Sequence, residues 1–258
     1  MEELWNFISL SAAALAAGVV NAVAGGGTLI TFPTLTNVLG TAAEAGKIAN
    51  VTSTVALFPG SIASAYGYRR EMAEIREWRA LLLGPSILGG AAGSLLLILL
   101  PELFFKTVVP WLILLATLLF LLQPTLSRVM GIGLPHARPH GWTLCGVLVF
   151  QFLVATYGGY FGAGIGILML SSLSLLGIPD IHQMNALKTI LASVINGISV
   201  IIFILSGKID WGWAWPMILA AAIGGWLGAA YGRKLPRSLI RWFVIFTGFI
   251  VSIYFFLK

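Results

Sequence analysis

Lys188 is the residue whose type and setting most need a chemical explanation. It lies in the apolar stretch MNALKTILASVINGISVIIFIL, with Asn185 three residues before it and Thr189 and Asn196 after it. At 100° per helical residue, these four side chains fall within roughly a 100° stripe. An ammonium on such a helix either serves a function, because burying it is costly, or snorkels its stem to the interface. In the functional case it neutralises an anion. An offset of 135 carries the stripe onto Asn50, Ser53, Thr54 and Ser61 of an earlier apolar run, with Ser53 in the place of Lys188. The countercharge is therefore carried once per chain.

Two glycine clusters supply the other half of an anion site. Gly25-Gly26-Gly27 and Gly162-Ala163-Gly164 each interrupt an apolar run and open a short second one. A helix that starts inside a membrane leaves its first N–H groups unpaired and presents its positive dipole end there. Exposed backbone is tolerated at that depth only where protein buries it or it lines a cavity. Two such starts brought together make a cradle for an anion; the plainer use of the glycines is tight helix packing. Thr28 is expected to cap the first short helix and offer its hydroxyl, and Asn21 stands about one turn before the break. Tyr157 and Tyr160 flank the second break and read as packing rings.

Other chemistries find little material. All nine acids fall at loops or element ends, which leaves no interior carboxylate to ligate a cation or relay protons; Asp180 and His182, in a short turn, are the nearest titrating pair. The single cysteine, Cys145, excludes an internal disulfide and multi-thiolate metal sites and reads as a packing residue. His136 and His140 lie in a polar, proline-bearing stretch, and an exposed linker accounts for both.

The elements that must position these residues follow from composition. Of 258 residues, 59% are hydrophobic and 9% charged, with mean hydropathy +0.97. A soluble domain carries roughly 25% charged residues, so this chain could not cover its surface against water. It is expected to be an all-α, polytopic integral membrane protein. Runs long enough to span fall at 5–24, 48–66, 80–100, 103–122, 142–161, 187–206, 213–231 and 239–257, with shorter ones at 28–40 and 165–177. The net charge of +6 comes from short gaps between runs: Arg69, Arg70, Arg76 and Arg79 in one, Arg233, Lys234, Arg237 and Arg241 in another. Such clusters mark a cytoplasmic side, not a nucleic-acid surface.

One transmembrane domain, 1–258, thus divides into repeat one (1–122), a linker (123–140) and repeat two (141–258). Gly25, Gly27 and Gly40 recur as Gly162, Gly164 and Gly177 at an offset of 137, before the polar stripes at 135. With each short segment counted as a return pass, a repeat has five elements. An odd number inverts the second repeat and puts both arginine clusters and the linker in the cytoplasm, with both termini outside. Inverted repeats with broken helices at the midplane are the pattern of many secondary transporters.

The stretches Asn21-Ala-Val-Ala-Gly-Gly-Gly-Thr28 with Phe32-Pro33, and Gly158-Gly-Tyr-Phe-Gly-Ala-Gly-Ile-Gly166, resemble the TauE/SafE sulfite exporter family of membrane proteins. The likeness covers nearly the whole chain, although Ala163 and Ile165 interrupt the glycines of the second motif. It implies transport, most simply export, of sulfite, organosulfonates or related sulfur oxyanions across the plasma membrane. The residues that would hold the anion are Asn21, Gly25, Gly26, Gly27, Thr28, Asn50, Ser53, Gly162, Ala163, Gly164, Asn185, Lys188 and Thr189. The expected partners are a small anion and the lipid bilayer, with no nucleic acid and no cofactor; a homo-oligomer is an open alternative to a single subunit. The competing functions are a passive anion channel and an intramembrane enzyme.

Overall fold

Apolar helices in lipid gain little from burying one leucine against another, so close backbone approach and paired polar groups must hold them together. A computed structural model of the chain describes residues 1–23, 26–68, 75–129, 141–174, 176, 178, 181–231 and 237–257. Ten helices account for most of these: α1 (Glu2–Val23), α2 (Thr28–Leu39), α3 (Ala45–Gly67), α4 (Arg76–Leu99), α5 (Glu102–Val129), α6 (Trp142–Tyr160), α7 (Ile165–Ser174), α8 (Ile181–Ser206), α9 (Trp211–Tyr231) and α10 (Arg237–Leu257). Five described stretches are long and apolar enough to cross a membrane: Glu2–Ala22, Ala45–Gly67, Arg76–Leu99, Glu102–Leu126 and Gln183–Ser206. The protein is all-α and polytopic.

Each predicted run is a helix, and the differences lie at the ends. The linker was expected from residue 123, but α5 continues through Pro124 to Val129. Its last turn carries Arg128, a charge that suits a helix C-terminus. The rest of the linker with His136 and His140, the basic residues Arg69, Arg70, Arg233 and Lys234, and Gly25, Gly177 and Asp180 lie outside the described residues, as does the side chain of His182. α8 begins at Ile181, which sets Lys188 two turns inside it. Cys145 is exposed on α6, not packed in the core.

The helices pair across the halves. α1 lies along α9 and α6 along α4; α3 packs on α8, and α5 on α10. Glycine makes the two long pairings possible. Gly89 and Gly93 of α4 rest on the carbonyls of Phe152 and Thr156, leaving no room for a Cβ. Gly224 and Gly228 of α9 rest in the same way on the carbonyls of Leu15 and Val19. The offset of 135 takes the first glycine pair to the second, and 137 takes Leu15 and Val19 to Phe152 and Thr156. Ser61 and Asn196, also 135 apart, touch each other at 3.4 Å between Oγ and Nδ2.

The short helices turn back on their predecessors. A Cβ on Gly27 would stand 2.6 Å from the carbonyl oxygen of Ala17, six residues before the end of α1. With a rise of 1.5 Å per residue, the start of α2 lies about 9 Å back along α1. In the second half, the side chain of Ile165 packs into the space left by Gly158. The core between these elements is aromatic: Phe32 of α2 meets Phe105, Phe161 and Phe255 at centroid distances of 6.1, 5.6 and 5.4 Å.

Candidate functional site

The second break is where backbone and side chains converge. α6 ends at Tyr160, and Gly162 (φ 81°) and Gly164 (φ 73°) turn the chain left-handed before α7 begins at Ile165. The left-handed region is cheap only for glycine, which explains the residue type at both positions. Ala163 between them is buried, and its carbonyl accepts a 2.5 Å hydrogen bond from Tyr157 Oη. Asn50 Nδ2 of α3 donates to the Tyr160 carbonyl at 2.9 Å, capping the negative end of α6. The first turn of α7 then faces α8. The Lys188 stem passes Gly166, with Cδ 3.5 Å and Cε 3.9 Å from where a Cβ would sit, and the ammonium donates to Asn185 Oδ1 at 3.2 Å. Lys188 is half-buried. A positive helix end and an ammonium thus stand side by side, an arrangement that attracts an anion.

Two buried polar atoms of α3 have no partner. Asn50 is 1% exposed and Ser53 0%, and Asn50 Oδ1 and Ser53 Oγ are both buried with no hydrogen bond. Thr189, half-buried on α8, lends its carbonyl to Ser193. Among the described residues, no three histidines, cysteines or carboxylates stand together as a metal site would require.

The first break is built differently. Asn21 lies against Gly27, which leads into α2 without a side-chain cap. Thr28 is the first residue of the helix, so it does not cap it as expected. The open side of Gly26 faces the Phe120 ring at 2.8 Å and Val244 at 3.3 Å, so packing fills the space assigned to a ligand. Gly164 meets Ala116, four residues before Phe120, and the two breaks therefore approach α5 one turn apart. The structure brings Asn50 to the turn of Gly162, Ala163 and Gly164, and Lys188 with Asn185 to the α7 start that follows it, while Ser53 lies buried on α3 and Thr189 bonds Ser193 on α8. Asn21, Gly26, Gly27 and Thr28 stand at the other break, and Gly25 lies outside the described residues.

Several contributing residues were not expected. Tyr157 and Tyr160 brace the break through a hydroxyl and a carbonyl, and Gly166 makes room for Lys188. Lys47, placed just ahead of the second predicted run, lies in the first turn of α3 and is only 2% exposed. Its ammonium caps α4 through the carbonyls of Ile98 and Leu100 and pairs with Glu44. Glu44 also bonds Lys208 of the α8–α9 loop, and this hydrogen bond, followed by that to Lys47, holds its carboxyl below the ordinary range. Glu102 is a further correction. It starts α5, as an acid at an element end, yet Oε1 accepts the Gly46 N–H at 3.0 Å and Oε2 is buried without a partner.

Comparison with known proteins fits this geometry. The sequence profile described as "Sulfite exporter TauE/SafE" matches residues 10–255. The chain belongs to that family. A "Probable membrane transporter protein" of Haemophilus influenzae is 30% identical over 92% of this chain and 89% of its own length. The "Probable membrane transporter protein YfcA" of Escherichia coli K12 is 27% identical over 93% of this chain and 85% of its own. No solved structure matches. Family and relatives alike mark the chain as a multi-pass protein of a membrane transporter family.

Proposed function

We propose that the protein is a secondary transporter, most simply an exporter, of a small sulfur oxyanion such as sulfite or an organosulfonate across the plasma membrane, and that the anion binds at the second break. The observation that carries this reading is the Lys188 stem lying on Gly166 at the start of α7. Backbone N–H groups and the dipole of α7 supply directional donors, Lys188 supplies charge, and Ser53 and Asn185 supply polar contacts. The site is asymmetric, with the first break supporting it through α5. Turned-back short helices support five passes per half, inverted repeats, and a membrane orientation with both termini outside and the arginine-rich gaps inside. Family membership favours transport over an intramembrane enzyme, and turnover separates a carrier from a channel.

Proteoliposome flux with sulfite, sulfate, methanesulfonate and chloride tests the reading. Saturable exchange of sulfite or methanesulfonate, well above chloride, is expected; chloride flux as fast as either would mean an unselective pore. Orientation is tested with single cysteines in a Cys145→Ser background. Position 72 should react with an impermeant reagent only after the membrane is opened, and labelling on intact cells would overturn the inverted arrangement.

A further inference from the structure

Gly46, Asn50 and Ser53 lie on α3 at spacings that put them on one stripe, roughly 60° wide. Buried oxygens without a hydrogen-bond partner gather along it. Asn50 Oδ1 and Ser53 Oγ belong to the stripe itself. Glu102 Oε2 belongs to the carboxyl whose other oxygen accepts the Gly46 N–H, and Tyr160 Oη is the fourth. Tyr160 spans the stripe: its carbonyl accepts from Asn50 Nδ2 at 2.9 Å, and its ring lies 5.9 Å from that of Phe105, which packs on Gly46. Ser53 leaves a ready bond unmade. Thr54, Ser94, Ser193 and Ser199 each return their hydroxyl to the carbonyl four residues before, and Ser53 does not. A carboxyl, a phenol, an amide oxygen and a hydroxyl have one capacity in common, which is to ligate a hard cation through oxygen.

The other half of the chain shows a positive charge at the matching place. Asn185 and Lys188 stand 135 residues after Asn50 and Ser53, and there the Lys188 ammonium donates to Asn185 Oδ1 at 3.2 Å. We propose that a monovalent alkali cation, Na⁺ or K⁺, binds at Asn50 Oδ1 and Ser53 Oγ, in the place that corresponds to the Lys188 ammonium, and that it binds together with the anion. The inference rests on the transporter reading above. The Tyr160 carbonyl marks the negative end of α6, which favours a cation, as the start of α7 favours an anion. The two sites thus flank one turn, residues 161–164, and Ile165 packs back on Gly158 in the last turn of α6. The two ligands are uncharged, which suits a single charge; Ca²⁺ and Mg²⁺ ordinarily take carboxylates. A hydroxyl has two lone pairs and one proton, so Ser53 can ligate the cation and still donate to the anion. Opposite charges so placed raise each other's affinity, and linkage makes the effect equal in both directions.

The test measures stabilisation of the purified full-length protein by sulfite and methanesulfonate in sodium, potassium and choline chloride at equal ionic strength. The anion Kd should be about fivefold or more tighter in sodium or potassium than in choline. In Ser53→Ala that ratio should fall toward one, whereas a Ser53 that only touches the anion or packs would change Kd equally in every salt. Ser53→Lys, which fixes an ammonium there as Lys188 does in the other half, should bind the anion equally in all three salts. Equal anion affinity of the wild type in all three salts overturns the proposal and leaves these oxygens to buried water. A Ser53→Ala ratio as large as that of the wild type overturns it as well. If Ser53→Ala does not fold, proteoliposomes of wild-type protein decide the matter. With the membrane potential clamped, a sodium or potassium gradient should drive accumulation of the anion, and exchange that ignores both gradients overturns the coupling. Wild-type protein stabilised by neither anion in any salt overturns the anion site itself, a result distinct from stabilisation that ignores the cation.

Discussion

Lys188→Gln separates an anion-binding lysine from one that merely reaches for the interface. The Lys188 Cε lies 3.9 Å from the Cβ position of Gly166, and the ammonium is one bond further on. An anion on the first turn of α7 would therefore sit about 4 Å from that charge, where attraction amounts to about 4 kcal/mol at an effective dielectric of 20. Half-burial lets water take a share, so about 2–4 kcal/mol is at stake, or roughly 30- to 700-fold in Kd. Glutamine keeps a donor for Asn185 Oδ1, so the fold should survive. The assay is anion-dependent stabilisation of purified protein, since a ligand of the folded state raises its stability. At an anion concentration of 100 times the wild-type Kd, stabilisation of about 2.7 kcal/mol should fall to about 0.4 kcal/mol if binding weakens 100-fold. Lys188→Arg should recover part of the loss, because the charge stays while the donor geometry changes. Stabilisation by sulfite or methanesulfonate that is undiminished in a well-folded Lys188→Gln would remove Lys188 from the site.

Three further outcomes follow from the same geometry. Gly164→Ala has space, with Ala116 3.5 Å away, but its φ of 73° should cost about 1–2 kcal/mol in detergent unfolding. Tyr157→Phe strips the Ala163 carbonyl of its donor and should cost about 1–3 kcal/mol, measured in the same way; no change would mean that another donor replaces it. Because the folded Glu44 carboxyl lies below its ordinary 4.5, its contribution is present above that value and fades as pH falls through the lower folded one. The pH dependence of stability in that acid range should therefore flatten in Glu44→Gln.

The helices were readable because an apolar run of spanning length between charged gaps has few alternatives in a bilayer. Glycines and polar residues recur at fixed offsets in the sequence, and several of them, Gly89 and Gly93 with Gly224 and Gly228 among them, make matching contacts in the structure. Direction was harder to read. Gly26 and Gly166 look equally open in sequence, but Gly26 faces a Phe120 ring contributed by a helix some ninety residues away, while Gly166 faces Lys188. Glu102 and Lys47 stand at helix starts, where charge is ordinarily solvated. Their burial comes from the ends of other helices closing over them, which no local pattern encodes. Tyr157 carried a signal that was available, a hydroxyl about one turn before a break that exposes carbonyls.

The pairing of α1 with α9 and of α6 with α4 has a consequence for assembly. Each half lends its first helix to the fourth helix of the other, so neither half contains its own longest seam. During synthesis, the edge of α1 that Gly224 and Gly228 will cover must wait until just over two hundred further residues have been made and inserted. A chain cut within 130–140 should regain its structure when both fragments share a membrane, whereas either fragment alone would carry an uncovered glycine-fitted groove and invite degradation.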